Sequence, residues 1–226
     1  MSEAPEVGVL TGEWDGGSFP YRIGHRKLGM WLFIMSDALT FAALLFAYSY
    51  ARFASVDWPT PFPFNPSIIF STVMTLVLLS SSLTMVFAVD AAKRGKKRQA
   101  RYWIFATMFF GALFVVLHLM EWNHLMSEGL YFNELPAEWL KPNAWPNASI
   151  LFGSAFFGIT GLHMFHVVTG VIYLGVIATR IRKTSAEDVE TSGLYWHFVD
   201  LVWMFVFPLI YIMSVDMHHV LKPAGH

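Results

Sequence analysis

Residues 149–179 read SILFGSAFFGITGLHMFHVVTGVIYLGVIAT and contain no Asp, Glu, Lys or Arg. A helix of this length rises about 46 Å, whereas about 20 residues are enough to cross the roughly 30 Å apolar core of a bilayer. The apolar residues form one unbroken block instead of a stripe on one side, as a helix surrounded by lipid requires. The stretch therefore predicts a transmembrane helix that is tilted or that extends beyond the membrane.

Four other segments have the length and the apolar character of membrane spans. The whole chain is 55% hydrophobic and 14% charged, whereas soluble domains carry about 25% charged residues. The surplus of apolar residues fits lipid better than a soluble core, and we predict an all-α membrane protein with five transmembrane helices. Besides residues 149–179, the predicted spans are about 28–51, 67–89, 102–126 and 194–215.

The loops between these spans differ in charge and predict the orientation. Lys and Arg cluster at residues 22–27, 93–101 and 180–183, whereas loops 52–66 and 127–147 are proline-rich or acidic. By the positive-inside rule, the N-terminus is cytoplasmic and the C-terminus lies outside. We expect a soluble N-terminal tail, a five-helix transmembrane domain and a C-terminal tail, with the bounds 1–26, 27–215 and 216–226.

Composition also narrows the possible chemistry. The chain has no cysteine, which excludes disulfides, thiolate metal sites, iron–sulfur clusters and cysteine nucleophiles. A net charge of −1 without a basic face gives no case for a nucleic-acid partner. Histidines and carboxylates must therefore carry any chemistry. Three histidines of the C-terminal tail are expected to be solvated, with adventitious metal binding as the alternative: His218, His219 and His226.

Asp37 is an ionisable residue inside the first predicted span, about 14 Å along the helix from its start. Inserting such a side chain into the membrane costs about 2.5–3.5 kcal/mol on insertion scales. We therefore expect it to have a hydrogen-bonding partner or a functional role. We expect Asp37 to be protonated, hydrogen-bonded across helices or in contact with water. A packing hydrogen bond and a proton-handling carboxylate both remain open as interpretations.

The third predicted helix carries His118, Glu121 and His124 at every third position. These residue types suit a metal site, but the two imidazoles diverge by about 120° around the helix and would chelate one ion poorly. The favoured interpretation is a hydrogen-bonded Glu121 that is capped by Trp122 and His124.

On the fourth predicted helix, His163 and His166 share one face, and Gly170 follows one turn later. The many glycines of this helix permit close approach of a neighbour, so both histidines are expected to point into a helix contact. Heme ligation is the alternative, but it needs facing histidines at the same depth, and His118 and His197 fit this requirement badly. The glycines are Gly153, Gly158, Gly161, Gly170 and Gly175.

The fifth predicted helix opens with His197 and Asp200, which are three residues apart and are expected to share a hydrogen bond. Trp196, Asp200 and Trp203 line one stripe of this helix. The tryptophans are predicted to anchor the helix at the membrane interface. The polar pair is a candidate for holding a lipid headgroup or a partner subunit.

Four blocks of the sequence occur in the order found in a known family. They are GMWLFIMSD at 29–37, Glu121 ahead of an aromatic residue, TGLHMFHVVTG at 160–170 with the pattern H-x-x-H-V-x-x-G, and YWHFVDLVW at 195–203. Glu190 and Tyr211 also stand at the family's spacing from the last block. On these residues, the sequence resembles subunit III of the heme–copper respiratory oxidases over residues 26–214.

The resemblance implies a subunit without a redox cofactor of its own. It is expected to pack on a catalytic subunit I that holds the hemes and copper, with subunits II and IV as further partners. Family members bind phospholipids between their helices, support proton entry into subunit I from the inner side and protect the enzyme during turnover. The expected location is a bacterial-type cell inner membrane, where the complex serves aerobic respiration.

The sequence departs from the family pattern in two ways. The larger form has seven spans, and the first span predicted here is expected to correspond to the third of these. The flank left by the missing pair is expected to face lipid, another subunit or extra helices of subunit I. Asp37 stands where a glutamate is commoner, as in forms similar to quinol oxidases.

The first hypothesis is therefore a non-catalytic subunit III of a proton-pumping terminal oxidase of the cytochrome c oxidase type. The alternatives are subunit III of a quinol oxidase, an accessory subunit of a nitric oxide reductase, and a stand-alone membrane cytochrome. No residue is assigned a catalytic, metal-binding or cofactor-binding role. The candidates for lipid contact, proton handling or helix packing are Asp37, Glu121, His163, His166, Glu190, His197 and Asp200.

Overall fold

The structure is a computed structural model that describes residues 24–55, 58, 59, 62, 67–132 and 148–215. All five of the long helices in these ranges are apolar enough to cross a membrane, and the same ranges contain no β-strand. The predicted all-α fold with five transmembrane helices is therefore confirmed. The helices are α1 His25–Ala54, α2 Ile69–Lys93, α3 Lys97–Ser127, α4 Ala148–Thr179 and α5 Ala186–Val206.

Some predictions concern residues outside the described ranges. The N-terminal tail up to residue 23, most of the loop before α2 and the loop 133–147 fall there. The C-terminal tail also falls there, with its three histidines His218, His219 and His226.

The start of α5 lies well before the predicted membrane span, at Ala186. The Ser185 side chain accepts a hydrogen bond from the Asp188 N–H, and the Asp188 carboxylate accepts one from the Ser185 N–H. This capping box satisfies two backbone donors that would otherwise be free at the start of a helix. The helix therefore begins in a polar region ahead of the apolar block.

The hydrogen-bonding pattern of α5 changes near its end. The helix continues as a π-helical turn, Phe207–Tyr211, and then as a 3-10 turn, Ile212–Ser214. Pro208 lies in the π turn, and a proline has no N–H to donate and crowds the carbonyl one turn earlier, so a wider turn accommodates it. The extra residue in this turn changes which side chains face the bundle, and Tyr211 is fully buried.

The central helix of the bundle is α5, which packs against α1, α2 and α4. The helix α3 packs against α2 and α4, and α1 lies against α4 and α5. In the most apolar 18-residue stretch of the span Ala186–Ser214, which contains α5, 50% of the residues are buried. In the corresponding stretch of α1, 17% are buried. The helix α1 is therefore peripheral, and most of its surface faces outward.

The two ends of the bundle differ strongly in charge. We call the end that holds the start of α1 the basic end, and the other the opposite end. Arg52 is the only Lys or Arg at the opposite end among the residues that the structure describes. Which end faces the cytoplasm stays a prediction. The basic end carries Arg26, Lys27, Lys93, Arg94, Lys96, Lys97, Arg98, Arg101, Arg180, Arg182 and Lys183.

Trp196 and Trp203 lie inside the bundle, with exposed fractions of 0% and 1%. Trp196 Nε1 donates to Ser81 Oγ at 2.9 Å, and Trp203 Nε1 donates to Thr75 Oγ1 at 3.0 Å. The prediction that these tryptophans anchor α5 at the membrane interface is wrong. Their N–H groups find partners on α2, so the rings fill the space between helices instead.

The Trp196 ring fits between two glycines of neighbouring helices. A Cβ atom added to Gly111 of α3 would lie 2.5 Å from the ring, and one added to Gly170 of α4 would lie 3.0 Å from it. The predicted close approach at α4 is thus confirmed at Gly170, whereas Gly158 has open space around it. Both α3 and α4 close on α5 because these two positions lack a side chain.

Candidate functional site

The predicted site residues do not converge on one point. They form separate contacts between helices, and each contact joins a different pair or set of helices. Three of these contacts lie inside the bundle, one lies near its surface, and one lies at the basic end.

Asp37 of α1 meets His166 of α4 near the bundle surface. The Asp37 Oδ2 atom lies 3.4 Å from His166 Nε2, and the side chains are 13% and 11% exposed. His166 Nδ1 lies 2.8 Å from the Leu162 carbonyl oxygen, which only accepts, so Nδ1 carries a proton and Nε2 faces the carboxyl. The carboxyl and the imidazole therefore face each other across the contact between α1 and α4.

His163 of α4 is turned towards α5. Its Nε2 atom donates to the Val199 carbonyl oxygen at 3.1 Å, and the residue is 1% exposed. The ring packs 4.9 Å from the Trp203 ring between centroids. Both candidate histidines of α4 therefore point into helix contacts, as predicted, but into contacts with different helices.

Glu121 of α3 is held by two hydroxyl groups at the opposite end. Ser71 of α2 donates to Oε1 at 2.5 Å, and Tyr211 donates to Oε2 at 2.7 Å. The carboxyl thereby joins three elements, and a cavity of about 220 Å³ lies beside it. Each carboxylate oxygen of a buried acid needs such a donor, because an unmade hydrogen bond is costly away from water.

The prediction that Trp122 and His124 cap Glu121 is wrong. His124 is exposed and lies 3.3 Å from the Glu128 carboxylate, and Trp122 Nε1 has no hydrogen-bond partner within the described ranges. His118 is fully buried, with Nδ1 3.8 Å from Glu121 Oε2. The structure thus separates the two imidazoles of α3 instead of bringing them to one metal position.

His197 and Asp200 of α5 do not share the predicted hydrogen bond. His197 Nδ1 lies 2.6 Å from the Ser82 hydroxyl of α2. Asp200 is 4% exposed, and neither carboxyl oxygen has a hydrogen bond within the described ranges. The prediction failed because a neighbouring helix offers His197 a partner at a better position than a residue of its own helix.

Glu190 of α5 ties three helices together at the basic end. Its carboxylate lies 3.0 Å from Lys27 Nζ of α1 and 3.4 Å from Lys93 Nζ of α2. Two residues earlier, Asp188 accepts a hydrogen bond from Arg26 at 2.7 Å. These side chains are partly exposed, so each pair stabilises the bundle by only about 0–1 kcal/mol.

Two grooves share Tyr173 of α4: an apolar one between α1, α4 and α5, and a basic one around the end of α4. The apolar groove, of about 520 Å³, is lined mainly by aromatic residues such as Phe33 and Phe165 and includes His166. The basic groove, of about 930 Å³, lies at the basic end and is lined by several Arg and Lys side chains. A molecule with an apolar tail and an anionic head matches this pair of surfaces. The charged lining consists of Arg26, Arg101, Arg180, Arg182, Lys183 and Asp188.

The hydroxyl groups of α2 are partners that the sequence reasoning missed. Four of them bind candidate residues or buried tryptophans of other helices. Their signal in the sequence is a set of Ser and Thr residues along a single face of an otherwise apolar span. The pairs are Ser71 with Glu121, Thr75 with Trp203, Ser81 with Trp196, and Ser82 with His197.

Comparison with known families identifies one match to this chain. The family model described as cytochrome c oxidase subunit III matches residues 17–132 and 125–215. These two ranges include all five helices.

Individual relatives cover most of the chain. Cytochrome c oxidase subunit 3 of Alkalihalophilus pseudofirmus is 31% identical over 197 residues, which are 84% of this chain and 88% of the relative. Cytochrome bo(3) ubiquinol oxidase subunit 3 of Pseudomonas putida is 32% identical over 193 residues, 83% of this chain and 86% of the relative. Cytochrome c oxidase subunit 3 of Bacillus subtilis is 30% identical over 197 residues, with 84% and 87% covered.

Proposed function

Because the chain belongs to the cytochrome c oxidase subunit III family, we propose that it is the non-redox third subunit of a proton-pumping terminal oxidase. The redox chemistry then belongs to a neighbouring subunit I, which holds the hemes and copper and reduces oxygen to water. This chain stabilises that subunit from within a bacterial-type cell inner membrane, with subunits II and IV as further neighbours. The family match across all five helices is the observation that carries the proposal.

The contacts that the histidine side chains make favour a structural role for this chain over the function of a stand-alone cytochrome. A bis-histidine heme needs two imidazole nitrogens that face each other across the ring. Here three imidazoles are engaged with three different partners, namely the α5 backbone, a carboxyl of α1 and a hydroxyl of α2. These imidazoles belong to His163, His166 and His197.

Subunit III of a quinol oxidase is the second candidate function. The ubiquinol oxidase relative is as similar to this chain as the cytochrome c oxidase relatives are. Asp37, in place of the commoner glutamate, also favours this candidate. The two candidates share the fold and the partner class and differ in the electron donor of the complex.

The two grooves that share Tyr173 support a bound phospholipid as part of this function. The apolar groove takes an acyl chain, and the basic groove takes an anionic headgroup through Arg180 and Arg182. Such a lipid covers a surface that α1 and α4 leave open. Replacing both arginines by Gln should lower the anionic lipid retained after purification, as measured by mass spectrometry of extracted lipids. Arg94→Gln is the matched control, because Arg94 lies at the same end but pairs with Asp90.

Affinity purification of the tagged chain in mild detergent tests the main proposal. The co-purifying chains, identified by mass spectrometry, should include a heme–copper subunit I, and the preparation should consume oxygen. Absence of any such subunit, or a Soret band that stays with the isolated chain, would contradict the proposal. Oxygen uptake with reduced cytochrome c against uptake with a quinol then distinguishes the two candidates.

A further inference from the structure

The helices around α5 form an open ring, and the opening leaves one face of this central helix uncovered. The helix α4 packs against α1 and α3, and α3 packs against α2, but no comparable packing joins α1 to α2 in the described ranges. On α5, Leu201, Met204 and Phe205 are 55%, 45% and 56% exposed, and their spacing puts them on one face. This face therefore forms the floor of an apolar channel between α1 and α2.

At the basic end, the channel continues into a groove of about 330 Å³ between α2 and α5. The walls of this groove are mainly apolar and include Val86 and Val89. Its rim at the basic end carries charges of both signs, on Asp90, Lys93 and Glu190. An apolar channel below a charged rim matches a lipid, whose headgroup lies at the membrane surface and whose acyl chains lie in the hydrocarbon region.

His197 lies where the groove meets the channel, one turn before Leu201 and seven residues, or about 10 Å, along α5 from Glu190. Its Nδ1 atom lies 2.6 Å from the Ser82 hydroxyl of α2, and its Nε2 atom has no hydrogen bond within the described residues. When the hydroxyl donates to Nδ1, the hydrogen of the neutral ring lies on Nε2 and is available to a group in the groove. The ester carbonyls of a phospholipid lie just below its headgroup and accept such a hydrogen bond.

The charges on the rim are only weakly engaged with other side chains. Lys93 lies 3.4 Å from Glu190 and is 54% exposed, and Asp90 lies 3.0 Å from Arg94 and is 50% exposed. Exposed pairs of this kind contribute only about 0–1 kcal/mol, so a headgroup competes for them at little cost. A phosphate finds a cation here, and an ammonium finds a carboxylate. The basic groove differs, because it has five cationic side chains and a single carboxylate and therefore favours an anionic head.

We propose that the groove between α2 and α5 binds a phospholipid with a zwitterionic head, of the phosphatidylethanolamine class. Lys93 binds the phosphate, Asp90 binds the ammonium, and His197 Nε2 donates to an ester carbonyl. The acyl chains lie in the channel against Leu201 and Met204 and fill the opening between α1 and α2. This site differs in place and in charge from the basic groove. It uses residues of this chain alone and goes beyond the proposed function.

Reconstitution of the purified complex in vesicles of equal parts phosphatidylethanolamine and phosphatidylglycerol tests the site. After extraction in mild detergent, mass spectrometry counts the molecules of each lipid that stay bound. Asp90→Asn should lower the retained phosphatidylethanolamine by about fivefold, because a charged contact near the membrane surface contributes about 1 kcal/mol. Retained phosphatidylglycerol should not fall, since Arg94 loses its partner and becomes available to an anionic head. His197→Phe should also lower phosphatidylethanolamine alone.

Arg98→Gln is the matched control, because Arg98 is exposed at the same end and lies over the Tyr102 ring, away from the groove. This variant should retain both lipids as the wild type does. Equal losses of both lipids in Asp90→Asn, or unchanged phosphatidylethanolamine in both Asp90→Asn and His197→Phe, would overturn the proposal.

A photoreactive maleimide on Leu201→Cys identifies what fills the channel, because the chain has no other cysteine. An adduct with a phospholipid supports the proposal. An adduct with another protein chain shows that a transmembrane helix occupies the channel instead, and overturns it. Heme content and oxygen uptake are measured on the same samples. A preparation without a heme–copper partner contradicts the proposed function, while the lipid count still decides whether the groove selects a zwitterionic head.

Discussion

Two acids of this bundle are held in different ways. Both carboxyl oxygens of Glu121 accept a hydrogen bond from a hydroxyl group. Asp37 faces the imidazole of His166 at 3.4 Å. Glu121 therefore joins helices through its hydrogen bonds, whereas proton handling by Asp37 stays a prediction.

Tyr211→Phe removes one of the two donors to Glu121 without changing the shape of the ring. The variant should lose about 1–3 kcal/mol of unfolding free energy, because one oxygen of a buried carboxyl is left without a partner. Thermal or denaturant unfolding in detergent measures the loss. Tyr50→Phe is the control, because Tyr50 is 69% exposed on α1. Equal stability of the two variants would show that the Tyr211 hydroxyl does not hold Glu121.

Asp37→Asn keeps the size of the side chain and removes its ability to carry a proton. Since helix packing at this position is retained, assembly of the complex should be normal. Proton uptake at high pH should slow, because protons in the medium are scarce there and a group that collects them is lost. The pH profile of oxygen uptake by the purified complex measures this effect. An unchanged profile would leave Asp37 with a packing role alone.

The sequence predicted which polar residues matter better than it predicted their partners. Asp37 and His166 were both candidates, but 128 residues lie between them, and no local pattern shows that they meet. The His197–Asp200 prediction relied on helical spacing within α5 and failed because Ser82 comes from α2. Contacts between distant helices depend on packing, which spacing within one helix does not contain.

The helix α5 owes its central position to large side chains that face small ones. Trp196 reaches the backbones of α3 and α4 where Gly111 and Gly170 lie, and its N–H is satisfied by Ser81. In a membrane, lipid is as apolar as a buried side chain, so close packing and internal hydrogen bonds decide which helices associate. The Trp196 side chain supplies both the close packing and an internal hydrogen bond.

Gly111→Ala places a methyl group against the Trp196 ring, where a Cβ atom would lie 2.5 Å from the nearest ring carbon. The ring or α3 must move, which should cost about 1–3 kcal/mol and lower the melting temperature. Gly158→Ala is the matched control, because nothing lies within 4 Å of its added Cβ. This control should be neutral or slightly stabilising, by about 0.5–1 kcal/mol, since Ala favours helix. Equal melting temperatures would show that α3 and α4 do not close on this ring.

The existence of all five helices was predictable because each is an apolar block of sufficient length. Their order of packing was not, because a span that is apolar on all sides carries no stripe that marks its buried face. The capping box at Ser185 and the π turn at Pro208 each had a local signal that the prediction of the spans did not use. Local chemistry therefore sets where helices begin and bend, while packing sets which neighbours they meet.

The peripheral helix α1 is attached to the bundle at three heights. At the basic end, Arg26 and Lys27 bind Asp188 and Glu190. In the middle Asp37 meets His166, and at the opposite end the Tyr48 and Arg52 side chains reach Ser214. These polar contacts attach a helix in which only 17% of the most apolar stretch is buried. Its outward face is left for lipid or for a neighbouring subunit.

The strong difference in charge between the two ends also makes the orientation testable. Eleven Lys and Arg residues lie at the basic end, against Arg52 at the opposite end in the described ranges. Because the chain contains no cysteine, a single introduced cysteine reports on its own position only. Lys96 and Ser127 are both exposed, and they lie at opposite ends of the bundle.

Ser127→Cys should react with a membrane-impermeant maleimide in intact cells or spheroplasts, whereas Lys96→Cys should react only after the membrane is permeabilised. The reason is that positively charged loops are retained on the cytoplasmic side during insertion, which places the basic end inside. Labelling of the purified protein is the control, since both cysteines should react there to the same extent. The reverse labelling pattern would show that the basic end faces the outside of the cell.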